Sequence, residues 1–260
     1  MKILCIGDVV SAAGRDMLFQ HVEDLKYQKK IDLCIANGEN ASHGHGLSRS
    51  AYNEMCRAGV DGFTLGNHTW NTKEVIGILN NEENVIRPIN FHDSCPGSGS
   101  MVLTAKNGAR IGIINAIGRT FMEPPTDSPF EAVQKKVEAL HEKTDAILVD
   151  FHAEATSEKQ AMGYFLDGTV GAVFGTHTHI QTADERILPK GTGYITDLGM
   201  TGPAESVLGM DCKIVVNRFV TGMPQKFEIA PGKGQLNGCI FELDDSTGLC
   251  IGVERIFIRA

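Results

Sequence analysis

The sequence predicts an α/β fold, and three observations carry that prediction. Short runs rich in Ile, Val, Leu and Cys alternate with amphipathic stretches for most of the length, the pattern of strands joined by crossover helices. Glycines stand directly before polar residues at the ends of three of these runs, at Gly7, Gly38 and Gly66, where a chain leaving a strand has to turn. The composition, 42% hydrophobic and 22% charged, is that of an ordinary globular protein.

Taken in order, the first strand spans 2–7 (KILCIG) and ends at Asp8. A helix over 15–30 leads to a second strand at 32–36. Helix 48–58, capped by Ser48, leads to a third strand at 60–65, and helix 72–80, capped by Thr72, follows it. Strand 111–114 precedes helix 128–142, where Ser128-Pro129 pairs an N-cap with a proline in the first turn. Strand 146–151, helix 157–167 and strand 170–174 complete the alternating part. The C-terminal part changes character: 185–196 and 236–258 read as antiparallel strands, with Asp245-Ser246-Thr247-Gly248 as a turn. Between them, apolar residues recur at helical spacing over about 203–222, which reads as a helical insertion that covers the site or forms a subunit contact. No linker divides the chain, so residues 1–260 read as one domain.

Bulk properties narrow the function. No run reaches the roughly 18 apolar residues of a membrane span, and the N-terminus lacks the shape of a signal peptide, so the expected location is cytoplasmic and no membrane partner is expected. The seven cysteines form no C-x-x-C pair, and Cys5, Cys34, Cys239 and Cys250 sit in apolar runs, as buried reduced thiols do. A net charge of -8 argues against a surface for long nucleic acid. It leaves room for a small phosphate ester, because bound cations supply positive field locally.

Five strand ends carry metal-binding residue types: Asp8 in Gly7-Asp8, Glu39 and Asn40 in Asn37-Gly38-Glu39-Asn40, Asn67 and His68 in Gly66-Asn67-His68, His152 in Asp150-Phe151-His152, and His177 and His179 in Gly175-Thr176-His177-Thr178-His179. Singly, each has an ordinary explanation as a cap, a turn former or a hydrogen-bonded histidine. Five together, at strand ends that face one crevice in an α/β sheet, point to a metal site. Carboxylate, amide and imidazole ligands suit iron, manganese or zinc. The two histidines of His177-Thr178-His179 share a face if the chain is extended, and diverge toward neighbouring ions if it turns. His43 and His45 lie close enough to Glu39 in sequence to meet a substrate. His21 and His141 read as exposed helix residues, His92 has no motif around it, and Trp70 reads as core before it reads as a flank for a base.

These motifs resemble the calcineurin-like metallophosphoesterase superfamily, and within it the YmdB-like 2′,3′-cyclic nucleotide phosphodiesterases. Gly7-Asp8-Val9-Val10 with Gly14-Arg15, Asn37-Gly38-Glu39-Asn40-Ala41, Gly66-Asn67-His68-Thr69-Trp70, the string Gly175 to Thr182, and Thr196 to Pro203 carry the likeness nearly end to end. The chain departs from the wider superfamily where Val10 replaces a ligand histidine and Glu39 a bridging aspartate. The resemblance implies a β-sandwich flanked by helices in α-β-β-α layers. It implies one ion on Asp8, Glu39, Asn40 and His179, a second on Glu39, Asn67, His152 and His177, and Glu39 as the bridge. Iron is the implied metal.

Two such ions would share a hydroxide that attacks phosphorus; by the same likeness His68 protonates the departing ribose oxygen, and an acidic neighbour, for which Asp197 is a candidate, would keep it charged. The expected reaction is hydrolysis of 2′,3′-cyclic nucleotides to nucleoside monophosphates. The alternatives are a broader phosphodiesterase or phosphomonoesterase, and a regulatory protein that binds a nucleotide or an RNA-processing partner with weak turnover. The inserted helix makes a homo-oligomer the natural assembly to test.

Overall fold

Four strands are apolar and buried along most or all of their length, as strands covered on both faces must be: β1 (Lys2–Ile6), β3 (Leu33–Asn37), β7 (Ala146–His152) and β8 (Ala172–Thr176). They form the centres of two sheets in the computed structural model, which describes residues 1–260. In the first sheet β1 pairs in parallel with β3, and β3 with β4 (Gly62–Thr64). On its other side β1 meets β12 (Gly234–Leu243) antiparallel, and β12 forms a hairpin with β13 (Cys250–Arg259). The two-residue β2 (Asp8–Val9) joins this sheet through β11 (Met200–Pro203).

The second sheet runs β5 (Ser100–Thr104), β6 (Arg110–Ile117), β7, β8, β10 (Gly193–Ile195), β9 (Arg186–Ile187). Strands β6, β7, β8 and β10 are parallel. Ile3, Cys5, Leu33 and Phe241 of the first sheet share one buried cluster with Ile111, Leu148, Phe174 and Ile195 of the second. The other face of the first sheet packs under α1 (Ser11–Lys29), α2 (Arg49–Arg57) and α3 (Glu74–Asn81). The other face of the second packs under α4 (Pro129–His141) and α5 (Thr156–Phe165). The fold is thus mixed α/β, with two sheets between layers of helices.

Several boundaries differ from the sequence reading. Helix α1 begins at Ser11 rather than near 15, running through Gly14, whose place is explained by space: a Cβ there would lie 2.3 Å from the Thr201 carbonyl oxygen. Ser48 and Ser128 cap α2 and α4 as expected, accepting from Ala51 N and Glu131 N. Thr72 does not cap α3; its hydroxyl donates to the Leu47 carbonyl at 2.8 Å. Strand β5 is absent from the sequence reading, because an edge strand with one buried residue shows no apolar run.

The insertion expected over about 203–222 is helical only in α6 (Cys212–Thr221). Leu208 and Gly209 take positive φ of 54° and 93°, which ends any helix there, and Asp211 restarts the chain by capping Lys213 N and Ile214 N. Only Val215 of α6 is buried; Phe219 is 82% exposed. Cys5, Cys34, Cys239 and Cys250 are buried free thiols, as their apolar settings require. No helix is long and apolar enough to cross a membrane.

Candidate metal centre

The five motif-bearing segments leave the carboxyl ends of strands in both sheets. Asp8 follows β1, Glu39 and Asn40 follow β3, and Asn67 and His68 follow β4. His152 is the last residue of β7, and His177 and His179 follow β8. Asp8 is fully buried, and its Oδ2 accepts from His177 N at 3.0 Å across 169 residues of sequence. All seven expected ligand residues meet here, and His68 lies beside them.

They meet as two groups with one atom in common. In the first, Asn40 Nδ2 stands 3.5 Å from Asp8 Oδ1, 3.4 Å from Glu39 Oε1 and 3.4 Å from His179 Nε2. In the second, His152 Nε2 stands 2.8 Å from Asn67 Oδ1, 3.1 Å from Glu39 Oε1 and 3.1 Å from His177 Nδ1. Glu39 Oε1 belongs to both. Its other oxygen, Oε2, accepts from His68 N at 2.9 Å, which holds the carboxylate in place.

Each histidine has its outward nitrogen committed, which decides which nitrogen faces the cluster. The Thr176 hydroxyl donates to Asp150 Oδ1 at 2.7 Å, so it accepts from His152 Nδ1 at 2.9 Å and leaves Nε2 without a proton. His177 Nε2 faces Glu154 Oε2 at 3.2 Å, which frees Nδ1. His179 Nδ1 donates to the Leu208 carbonyl at 3.2 Å, which frees Nε2. His152 Nε2 and the three lone-pair atoms around it, Asn67 Oδ1, Glu39 Oε1 and His177 Nδ1, crowd with no proton between them, an arrangement that a cation satisfies. The donor set therefore fits a divalent metal. The donor atoms of Glu39, His152 and His177 all lie within 4.8 Å of one another.

Burial sets the charges of these groups. Desolvation raises the carboxyls of Asp8 and Glu39 and pushes Asp150 up to about 7. Desolvation likewise lowers His152 to about 4 and His177 to about 3. Neutral imidazoles are the state a metal requires, and two buried carboxylates lacking a neighbouring cation are what a bound ion would compensate.

The turn carrying the two histidines is bent rather than extended. His177 and His179 have φ of 99° and 64°, costly for residues with side chains, and their rings go to different halves of the cluster. Thr178 between them is held by Asp197, whose Oδ2 accepts from Thr178 N at 3.1 Å, Thr178 Oγ1 at 2.7 Å and Lys159 Nζ at 2.6 Å. Asp197 thus serves this turn and not His68. His68 is half-buried, and burial lowers its pKa. Its Nδ1 accepts from Asn71 Nδ2 at 2.9 Å, and the His45 ring lies 5.5 Å away.

The glycines act through space rather than through φ. Gly7, Gly38 and Gly66 have no positive φ, but a Cβ on Gly66 would lie 2.3 Å from His152 Nε2 and 2.5 Å from Glu39 Oε2. Of the remaining expectations, His43, His45, His92 and His141 are exposed, whereas His21 is half-buried on α1. Trp70 packs with its ring 5.8 Å from that of Phe91. Val10 is buried at the N-cap of α1. Sequence reasoning missed Glu154, Thr176 and Lys159. Glu154 and Thr176 adjoin motif residues, so they carried a signal; Lys159, in mid-helix, carried none.

A family model described as YmdB-like protein matches residues 4–256. The chain is 48% identical over 259 residues to the 2′,3′-cyclic-nucleotide 2′-phosphodiesterase of Bacillus subtilis, covering 100% of this chain and 97% of that protein. A crystal structure of a hypothetical protein from Thermus thermophilus matches with a TM-score of 0.92 and 41% identity, covering 100% of this chain and 99% of that one. A phosphatase from Mycoplasma pneumoniae matches with a TM-score of 0.93 and 40% identity, covering 100% and 93%.

Proposed function

The chain belongs to the YmdB-like family, and from that membership and the geometry around Glu39 we propose that it is a metal-dependent phosphodiesterase opening 2′,3′-cyclic nucleotides to nucleoside monophosphates. We read residues 1–260 as a single domain of the calcineurin-like sandwich type, a reading that the core shared by the two sheets supports.

The single observation that carries the site assignment is the position of Glu39 Oε1, 3.4 Å from Asn40 Nδ2 in one group and 3.1 Å from His152 Nε2 in the other. Asp8, Glu39, Asn40 and His179 would hold one ion, and Glu39, Asn67, His152 and His177 a second. Turning the Asn40 amide, whose oxygen and nitrogen are assigned from hydrogen bonding, would present its oxygen to the first. Iron is the metal we assign, with manganese and zinc compatible with the same ligands. Such ions supply a water made nucleophilic at neutral pH and positive charge for the phosphoryl oxygens.

The chain's own residues do the rest. Only two of the seven ligands are carboxylates, so the centre keeps a net attraction for a phosphate anion. Asn71 donating to His68 Nδ1 leaves Nε2 as the proton-bearing nitrogen, and we assign it to protonate the departing ribose oxygen. His45, beside that ring, is placed to meet the same substrate. We further read the outer face of α6, where Phe219 and Val220 are exposed, as a contact between copies of this chain.

Elemental analysis paired with hydrolysis of 2′,3′-cyclic AMP, for the wild type and Glu39→Gln, tests the centre. The expected result is about two ions per chain in the wild type and loss of both metal and turnover in the variant. Absence of tightly bound metal after reconstitution with iron or manganese would sink the proposal. The description of the Mycoplasma relative as a phosphatase makes a monoester the competing substrate. A panel of cyclic nucleotides, bis-p-nitrophenyl phosphate and p-nitrophenyl phosphate separates the two.

A further inference from the structure

Between β6 and α4 the chain closes a compact loop of the Ω type, and Asn90 clamps its neck. Asn90 Oδ1 accepts from Ile117 N at 2.9 Å, while Nδ2 donates to the carbonyls of Ile117 at 2.8 Å and Asp127 at 3.1 Å. At one end of the crest, Gly118 N donates to the His152 carbonyl at 2.9 Å. At the other, Met122 is buried with Phe91 and Ile117 in a small apolar group on which Trp70 also packs. The span 119–121 is therefore strung between a residue of the metal centre and the turn that carries His68.

This span is built rather than loose. The Glu158 carboxylate, from the first turn of α5, accepts from the backbone of Arg119 at 3.0 Å and of Thr120 at 3.2 Å. Yet its side chains find nothing in the chain to serve. Phe121 is 88% exposed and takes φ of 60°, a conformation bulky residues avoid, and strain of that kind concentrates at ligand sites. The Arg119 side chain is exposed and makes no ion pair or hydrogen bond, in a chain of net charge -8.

We propose that residues 119–121 are the nucleoside-binding edge of the site: Arg119 pairs with the phosphate of the nucleotide, and Phe121 stacks on its base. This rests on the phosphodiesterase reading above. A guanidinium matches phosphate through two parallel hydrogen bonds. An aromatic face stacks on any base without reading its edges, so the edge would separate nucleotides from base-free phosphate esters more sharply than one base from another.

Calorimetric titration of the manganese-reconstituted protein with adenosine 3′-monophosphate, and separately with inorganic phosphate, tests the edge. Phe121→Ala is expected to weaken the nucleotide about tenfold and leave inorganic phosphate unchanged, with Phe121→Tyr restoring affinity. Arg119→Ala is expected to weaken both ligands, with Arg119→Lys recovering part. Wild-type affinity for the nucleotide in both alanine variants would overturn the proposal. So would a wild type that does not bind the nucleotide, or a loss in Phe121→Ala that tracks a fall in sedimentation mass, which would make the edge a subunit contact. Hydrolysis assays run alongside keep the two readings apart. If the edge binds nucleotide but 2′,3′-cyclic AMP is not opened, the substrate assignment falls and the edge stands. If the cyclic nucleotide is opened and the variants bind as the wild type does, the edge alone falls.

Discussion

Glu39 and His68 sit 29 residues apart and are joined by one hydrogen bond, from His68 N to Glu39 Oε2, yet they are expected to fail differently. His68→Ala keeps that backbone bond and every ligand, so it should retain its metal while turnover falls by about 10²–10⁴-fold. Metal content and rate measured on one preparation check this, and loss of metal would withdraw the proton-donor role. Lys159 and Asp197 are each 1% exposed in the side chain and 2.6 Å apart. Lys159→Met leaves a buried carboxylate without its cation, which should cost about 3–5 kcal/mol of stability by chemical denaturation. An unchanged midpoint would mean that Thr178 N and its hydroxyl suffice to hold Asp197. The candidate ligand residues could be named from short strings. Their proton arrangement could not, because Thr176, Glu154 and the Leu208 carbonyl act on the rings only through folded distances.

At the scale of elements, the long apolar runs are legible because a strand buried on both faces needs no partner to announce itself. The elements that the sequence hides depend on neighbours. Gly14 looks like a helix breaker until β11 lies against it, and β5 is a strand because β6 pairs with it. Helix α6 keeps the apolar periodicity that marks 203–222 in the sequence, but turns much of it outward. Phe219→Ser should leave the melting transition nearly unchanged, within about 0.5 kcal/mol for an exposed position, and lower the sedimentation mass. An unchanged mass would remove α6 from the assembly.

For the whole molecule, the position of the centre has a thermodynamic consequence. Its candidate ligands come from strand ends in both sheets, so an ion bound there would tie the sheets together and stabilise only the folded chain. Chelation should lower the melting temperature. For ligand at a hundred times its dissociation constant the effect is about 2.7 kcal/mol, and each kcal/mol is worth roughly 2–4 °C in a chain near this size. Differential scanning calorimetry with and without chelator measures it, and coincident transitions would mean that no ion is held by the native state. The sequence by itself determined the α/β class, the order of its principal elements, the family and the seven candidate ligands. All of these are local strings or periodicities, which burial and turn chemistry imprint on neighbouring residues. Only the tertiary structure decided that the candidate ligands come from the ends of two sheets and that Glu39 Oε1 is common to both groups. It also decided that the His177–His179 turn splits its rings between them and that an unpartnered Arg119 and an exposed Phe121 follow a residue, Gly118, tied to the backbone of His152. Those facts depend on distances between residues far apart in the chain, and such distances exist only once two sheets have packed their inner faces together.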